Sequence, residues 1–358
     1  MKIGEVLPFV RDACHHKNLI SQVFDVIYHK MKINTSPLDY YRYQFYKDSL
    51  TLEQKARYIG KRGSCFYPWQ GNKVQYTPLF DNKYIFKAML TGFGLPQPKY
   101  ITSIGQDYEI KTYEQFYDLI LKDARNIVLK PMDGSGGRGI IIISFKDQKH
   151  SILDEVCSPK DIWQKINEGR NPYLAEESVE QIPEISRIYP WSLNTLRIIT
   201  IKAKDQEWHL VGAWMRTGQG RTQVDNIGEG GIALGIDGRG RTCYARNWRL
   251  KEDVVMHPDT GVNLIGIEIP QYSQAVALAF EASRKFGFMG TIGWDIGLSI
   301  NGPVIIEGNI FYDCYYRQYS QGPMIPSHLA CKLDQRKWWQ RYDKTAMHPR
   351  ADRDHIRA

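Results

Sequence analysis

Apolar positions change their spacing along the chain, and each change marks an element. In the first 60 residues Val6, Val10 and Ala13, then Ile20, Val23 and Ile27, recur every three to four positions, the helical period. Ser36-Pro37 reads as a further helix start. The aromatic group behind it (Tyr40, Tyr41, Tyr43, Phe45, Tyr46) reads as packing rather than base stacking. Residues 62–75 mix glycine, proline and aromatics without period, as a linker or wrapping loop does. A short helix is predicted over 81–92, stopped by the run from Gly94 to Pro98, with a strand starting at 99. Residues 112–122 have the pattern of an amphipathic helix with Phe116, Leu119 and Ile120 inward.

From there strand patterns dominate. Residues 127–144 are two apolar strands around a glycine-rich turn. A helix over 161–168 precedes a strand over 173–179. Residues 194–202 and 207–215 alternate as antiparallel strands. Hairpins are predicted around Asp237-Gly238 and Asn301-Gly302, with a helix over 271–286 between them. A short helix near 332–342 and a loose basic tail end the chain. The fold class is mixed α+β with strands joined by hairpins; the strand–helix alternation of a Rossmann sheet is absent.

A length of 358 residues is too long for one core and implies two or three lobes. Net charge is +8, but the basic residues are scattered except in the tail, which argues against a nucleic-acid surface and leaves room for an anionic substrate. The six cysteines are widely spaced, with no Cys-x-x-Cys and no paired Cys/His spacing, which argues against zinc and a disulfide framework. Early charges do not suit a signal peptide, and no run approaches 18 uncharged apolar residues, so no membrane span is expected and the cytoplasm is the default location.

Two stretches carry the chemistry. The first holds Lys130 and the turn Asp133-Gly134-Ser135-Gly136-Gly137-Arg138-Gly139. Four glycines let backbone N–H groups converge on phosphate oxygens, with Lys130 on the strand before them; the Gly-Lys-Ser/Thr of a P-loop is missing. The second holds Asp295 on one hairpin strand, with Glu307 and Asn309 two apart on the next and so on one face. Two carboxylates and an amide oxygen suit Mg²⁺, although a single buried acid near a turn would give the same pattern.

In this order and at this separation, residues 77–315 resemble the ATP-grasp ligases, and within them the sugar-transfer-associated ATP-grasp proteins. The carrying segments are DNKYIFKAML from Asp81, LKPMDGSGGRG from Leu129 and ESVEQIPE from Glu177, followed by SLNTLRIIT from Ser192, VDNIGEGGIA from Val224, HPDTG from His257 and GWDIGLSINGPVIIEGN from Gly293. The resemblance implies two α+β lobes clasping ATP. A small lobe would cover 77–178 and a large one 179–345, with a helical region 1–76 before them and a basic tail 346–358 after.

It also implies roles. Lys83 or Lys87 would be the first ATP lysine and Lys130 the second, with Ser135, Gly136 and Gly137 at the phosphates. Glu177 to Val179 would be the hinge that meets adenine, and Glu184 would bind the ribose. Arg197, in an apolar strand, would face the γ-phosphate, unless it is half of a structural salt bridge. Arg216 and Asn226, with Gly230 and Gly231, would lie beside an acyl phosphate. Asp295, Glu307 and Asn309 would hold Mg²⁺. His257 could serve an incoming amine, but reads better as a loop cap.

The implied activity is an ATP-dependent carboxylate–amine ligase using small-molecule carboxylate and amine substrates. A sugar acid or amino acid in polysaccharide or glycoconjugate synthesis would be the carboxylate. A kinase acting on a hydroxyl would use the same ATP residues, and a non-catalytic sugar- or nucleic-acid-binding protein is the third possibility. The sequence sets no oligomeric state; residues 1–76 would serve either the acceptor site or an oligomer contact.

Overall fold

In the computed structural model the described residues are 3–330 apart from 34, 48, 60–71, 73, 123–124, 135, 147–148, 169–170, 251, 311 and 314. Most of the expected linker, Ser135 and the whole basic tail with its expected helix lie outside the described residues. Two helices open the chain, α1 (Ile3–His16) and α2 (Leu19–Ile33). Ser36 caps the next helix, Pro37–Arg42, and the aromatic group behind it packs as expected: Tyr40, Tyr43, Phe45 and Tyr46 are buried in one cluster with Ala13.

Two antiparallel sheets follow. The smaller has the order β1-β6-β2-β3-β4-β5, built from β1 (Tyr100–Ile104), β2 (Ile127–Pro131), β3 (Ile141–Lys146), β4 (Lys149–Ile152), β5 (Glu155–Val156) and β6 (Tyr173–Glu177). Its strands alternate. Ile127, Leu129, Ile141, Ile143, Tyr173 and Ala175 face a core with Phe116, Ile120 and helix Pro159–Glu168, which leaves Val128, Lys130, Ile142 and Glu176 for the opposite face.

The expected helix over 112–122 departs from its pattern. It begins as an α-helix, Tyr113–Phe116, and continues as a π-turn, Tyr117–Leu121. The wider i→i+5 turn rotates the apolar stripe, so Leu121 is buried and Leu119 is exposed.

The larger sheet has the order β11-β10-β9-β8-β7-β12-β13. Its strands are β7 (Thr195–Lys202), β8 (Trp208–Thr217), β9 (Ile232–Ile236), β10 (Thr242–Asn247), β11 (Glu252–Asp253), β12 (Thr291–Ser299) and β13 (Gly302–Asn309). Both faces are covered. Leu196, Ile198, Ile292, Trp294 and Ile296 pack with helix Tyr272–Lys285 on one side. Ile199, Ile201, Val211 and Trp214 pack with Tyr312, Met324 and Leu329 on the other. Helix Lys83–Gly92 precedes the small sheet in sequence, yet its Phe86 and Leu90 belong to the large sheet's core. It therefore spans the two lobes.

Candidate active site

A cleft of about 690 Å³ separates the two sheets. Strand parity decides what it contains. On β7, Thr195 and Arg197 alternate with the core residues Leu196 and Ile198 and so face the cleft side. Trp214, paired with Arg197 across β8, shares that face, and Arg216 follows two residues on. On β12–β13, Asp295 is opposite Glu307 whereas Ile296 is opposite Ile305, so Ile306 is one residue too many. This bulge keeps Ile305 in the core and lets both Ile306 and Glu307 line the cleft.

On this wall Asp295 is the hub. It accepts Arg197 Nε on Oδ1, and on Oδ2 it accepts Arg197 Nη2 at 2.9 Å and Asn309 Nδ2 at 3.0 Å. Arg216 Nη2 lies 3.0 Å from the same Oδ2. Burial alone would raise the Asp295 carboxyl, but the two guanidiniums outweigh it and hold it below the usual range. Behind it, Arg216 donates to Thr195 Oγ1 at 2.7 Å, and Thr195 donates its N–H to Asp225 at 3.0 Å. Burial raises the Asp225 carboxyl. For Arg216, burial favours the neutral form, but Asp225, Asp295 and Glu307 override it and keep it charged.

Glu307 differs from its neighbours: among the described residues it has no hydrogen bond or ion pair. Burial, and then the charge of Asp295, push its carboxyl above the usual range. A partnerless carboxylate beside the Asn309 side-chain oxygen is a hard donor set that fits Mg²⁺. Asp295 fits less simply, because it already takes four close contacts, one on Oδ1 and three on Oδ2, from groups that include two guanidiniums. No group of three or more His, Cys, Asp or Glu suited to a metal occurs among the described residues.

The opposite wall carries the lysines. Glu176, buried, lies 2.5 Å from both Lys87 Nζ and Lys130 Nζ. Burial would raise its carboxyl, but the two ammonium groups hold it low; burial pulls Lys87 down more than Glu176 lifts it. Lys87 also donates to the Pro98 carbonyl. Lys83 reaches elsewhere, donating to the Gly134 carbonyl of the glycine turn at 2.8 Å. Of the two candidate first lysines, Lys83 thus meets the glycine turn and Lys87 forms a pillar with Glu176.

The glycine turn folds onto the large lobe. Gly136 and Gly137 have φ of +75° and +79°. A Cβ on Gly137 would come 2.9 Å from Val224 Cγ1, and one on Gly136 would come 2.9 Å from Asn226 Nδ2. Asn226 donates to the Gly136 carbonyl at 2.7 Å. Gln223 exchanges bonds with the Ile142 backbone, and Arg138 pairs with Glu229 at 3.0 Å.

The remaining candidates are placed as follows. Glu177 lies at the rim, paired with Lys99 at 2.9 Å. The Glu177 and Ser178 N–H groups are bonded to Lys99 and Asn126 carbonyls, while Val179 lines the cleft. Glu184 is exposed on the short helix Pro183–Ser186 and does not line the cleft; that helix turn carries it outward, which removes the support for its ribose role. Gly230 and Gly231 sit in the turn behind Asn226, off the cleft. His257 is buried: Nδ1 accepts the Asp259 N–H, Nε2 lies 2.9 Å from the Gly218 carbonyl, and the ring stacks on Tyr189. Burial keeps it neutral, as a loop cap.

Sequence reasoning missed Glu176, Asp225 and Thr195. Two lysines converging on one point need a counter-charge, and the Glu-Glu pair ending β6 was the available signal for Glu176. Nothing local marks Asp225 or Thr195.

Two antiparallel sheets clasping one cleft, with helices outside each, have the architecture of the ATP-grasp fold. A family profile described as "Sugar-transfer associated ATP-grasp" matches residues 64–329. The chain belongs to that family. Endospore coat-associated protein YheC of Bacillus subtilis is 23% identical over 270 residues, 68% of this chain and 67% of its own length. Among solved structures, the biotin carboxylase domain of Hydrogenobacter thermophilus 2-oxoglutarate carboxylase, a complex with MgADP, ADP and bicarbonate, matches with a TM-score of 0.42 and 15% identity. The match covers 68% of this chain and 42% of that one. L-amino acid ligase from Bacillus licheniformis gives 0.39 and 14%, over 68% of this chain and 43% of that one. The chain thus spans under half the length of these two solved chains. No helix among the described residues is long and apolar enough to cross a membrane.

Proposed function

We propose that this protein is an ATP-dependent carboxylate–amine ligase that forms an amide through an acyl phosphate. The observation that carries the proposal is the pair of guanidiniums, Arg197 and Arg216, fixed on Asp295 in the cleft wall beside the free Glu307 carboxylate. Fixed cations of this kind stabilise charge as it moves from a nucleotide phosphate onto a second anion, at no reorganisation cost. A carboxylate nucleophile attacks without losing a proton; a hydroxyl needs a base. No histidine lines the cleft among the described residues, the acids Asp295 and Asp225 are committed to arginines and Thr195, and the free Glu307 is taken up by Mg²⁺ in this reading, which leaves a hydroxyl without a base. This favours the ligase over a kinase.

In this reading Lys130 and Lys83 bind the phosphates with the N–H groups of the glycine turn, Ser135 among them. Val179 meets adenine through its backbone at the Glu177–Val179 hinge. Asn226 holds the turn shut over the reacting centre, which excludes water from the acyl phosphate. Glu307 and the Asn309 side-chain oxygen would hold Mg²⁺, which neutralises charge on the transferring phosphate. Asp295 acts chiefly by aligning Arg197 and Arg216, and would join the metal through Oδ1, which takes one donor where Oδ2 takes three. The carboxylate substrate is a sugar acid or amino acid, a reading supported by the family's association with sugar transfer, and the work is done in the cytoplasm.

A screen of sugar acids and amino acids against amines, read as ADP release, tests this. Turnover that needs both a carboxylate and an amine is expected. ADP release with a hydroxyl compound alone would establish the kinase instead, and no Mg-ATP-dependent thermal shift would remove both.

A further inference from the structure

Helix α2 turns polar residues inward beside Val26 and Ile33 and leaves a broad apolar stripe outside. Its polar stripe, Gln22, Asp25 and His29, faces the protein. Gln22 donates to the Lys17 carbonyl at 2.7 Å and accepts from Tyr41 at 3.1 Å. Asp25 takes Lys17 Nζ at 2.6 Å and the Tyr40 hydroxyl at 3.0 Å. His29 donates to the Asp25 carbonyl and packs on Tyr40 and Phe45. The apolar stripe faces out. Leu19, Ile20, Val23, Phe24, Ile27, Tyr28 and Met31 are 47% to 80% exposed.

Side chains of this size present roughly 200 Å² each when free. At these exposures the stripe amounts to on the order of 900 Å², above the ~300–600 Å² patch of an ordinary monomer and close to the ~800 Å² each partner gives to a standard interface. The spacing says what fits it. Ile20, Phe24, Ile27 and Met31 are four, three and four residues apart, the seam that packs against another helix. A lipid surface needs no such register. It also calls for a basic polar face along the helix, whereas here the polar stripe is buried in the protein's own aromatic cluster.

We infer that α2 is a self-association surface, on which two copies of this chain pack their α2 helices antiparallel. In that arrangement Ile20 meets Met31 of the other copy and Phe24 meets Ile27. The pairing is self-complementary, and Lys30 and Lys32 of the two copies fall at opposite ends.

Sedimentation or light scattering of the full chain at micromolar concentration tests this. A particle of about 83 kDa, twice the 41.5 kDa chain, is expected. Phe24→Glu and, separately, Met31→Glu should each give the single-chain mass with unchanged far-UV circular dichroism, since neither side chain packs inside the monomer. A wild-type monomer overturns the inference, as does a dimer that survives both substitutions. A monomer that sediments with phosphatidylserine vesicles also overturns it and assigns the face to lipid.

Discussion

Asp295→Asn probes the cleft wall where it is most heavily engaged. The carboxylate takes two donors from Arg197, one from Asn309 and the charge of Arg216. An asparagine offers one acceptor oxygen and turns two N–H groups toward guanidiniums that are themselves donors. The Arg197 and Arg216 side chains are only 10% and 13% exposed, so water cannot replace the lost partner. Removing one member of a buried ion pair costs about 3–5 kcal/mol. Two features offset this: Asp225 remains 3.6 Å from Arg216, and Glu307 loses a repelling neighbour. The low end, about 3 kcal/mol, is therefore expected, which lowers Tm by roughly 6–12 °C at ~2–4 °C per kcal/mol. The assay is thermal unfolding at neutral pH without nucleotide. Glu307→Gln is the contrast: it removes a carboxylate that burial and Asp295 already disfavour, so Tm should hold or rise while the Mg-ATP-dependent shift disappears. An Asp295→Asn Tm within about 2 °C of wild type, under ~1 kcal/mol on that scale, would refute the reasoning.

Glu176→Gln leaves Lys87 and Lys130 buried against each other without a counter-ion, so we expect a loss of about 3 kcal/mol and weaker ATP binding, read by denaturant unfolding and nucleotide titration. Equal ATP affinity in Glu176→Gln and wild type would count against the pillar. Gly137→Ala puts a side chain at φ +79° and 2.9 Å from Val224, which should pry the turn from the large lobe and weaken ATP binding about tenfold with little change in Tm. Unchanged affinity there would separate the turn from nucleotide binding. Glu307 also sets a pH dependence. Its folded-state carboxyl lies above the ordinary 4.5, so its contribution to apo stability is full below 4.5 and is lost as pH rises through the raised value. Mg-ATP stabilisation runs the other way, because the metal needs the carboxylate, and falls as pH drops through the same window. Glu307→Gln should flatten both trends, and a wild-type-like pH profile in that variant would sink the assignment.

Local physics made much of this legible in the sequence. The hairpin around Asn301-Gly302 brings the Asp295 and Glu307 strands side by side, because a tight turn sets register over the few residues that follow, but the bulge at Ile306 that puts the two acids opposite each other has no mark in the sequence. Lys130, on the strand before the glycine turn, and Arg197, a charge in an apolar strand, stood out in the sequence, and both line the cleft. What stayed hidden depends on distant chain. Asp295 reads as a metal ligand until Arg216, 79 residues earlier, is seen beside it. Lys83 and Lys87 share a helix side in sequence, and only the path of β6 with Glu176 separates their tasks. Glu184 depended on where one short helix points. The stripe of α2 was visible as a period of three to four, but a period does not say which face is inward; the buried Gln22–Asp25–His29 network decides that.

An acyl phosphate made in this cleft is what separates the ligase from a kinase. Hydroxylamine traps such a species as a hydroxamate, in place of the natural amine. With Mg-ATP and a sugar acid or amino acid that supports turnover, hydroxamate should form in proportion to ADP and should be abolished in Glu307→Gln. ADP formed with a hydroxyl substrate and a stable phosphorylated product, with no hydroxamate from any carboxylate, would contradict it.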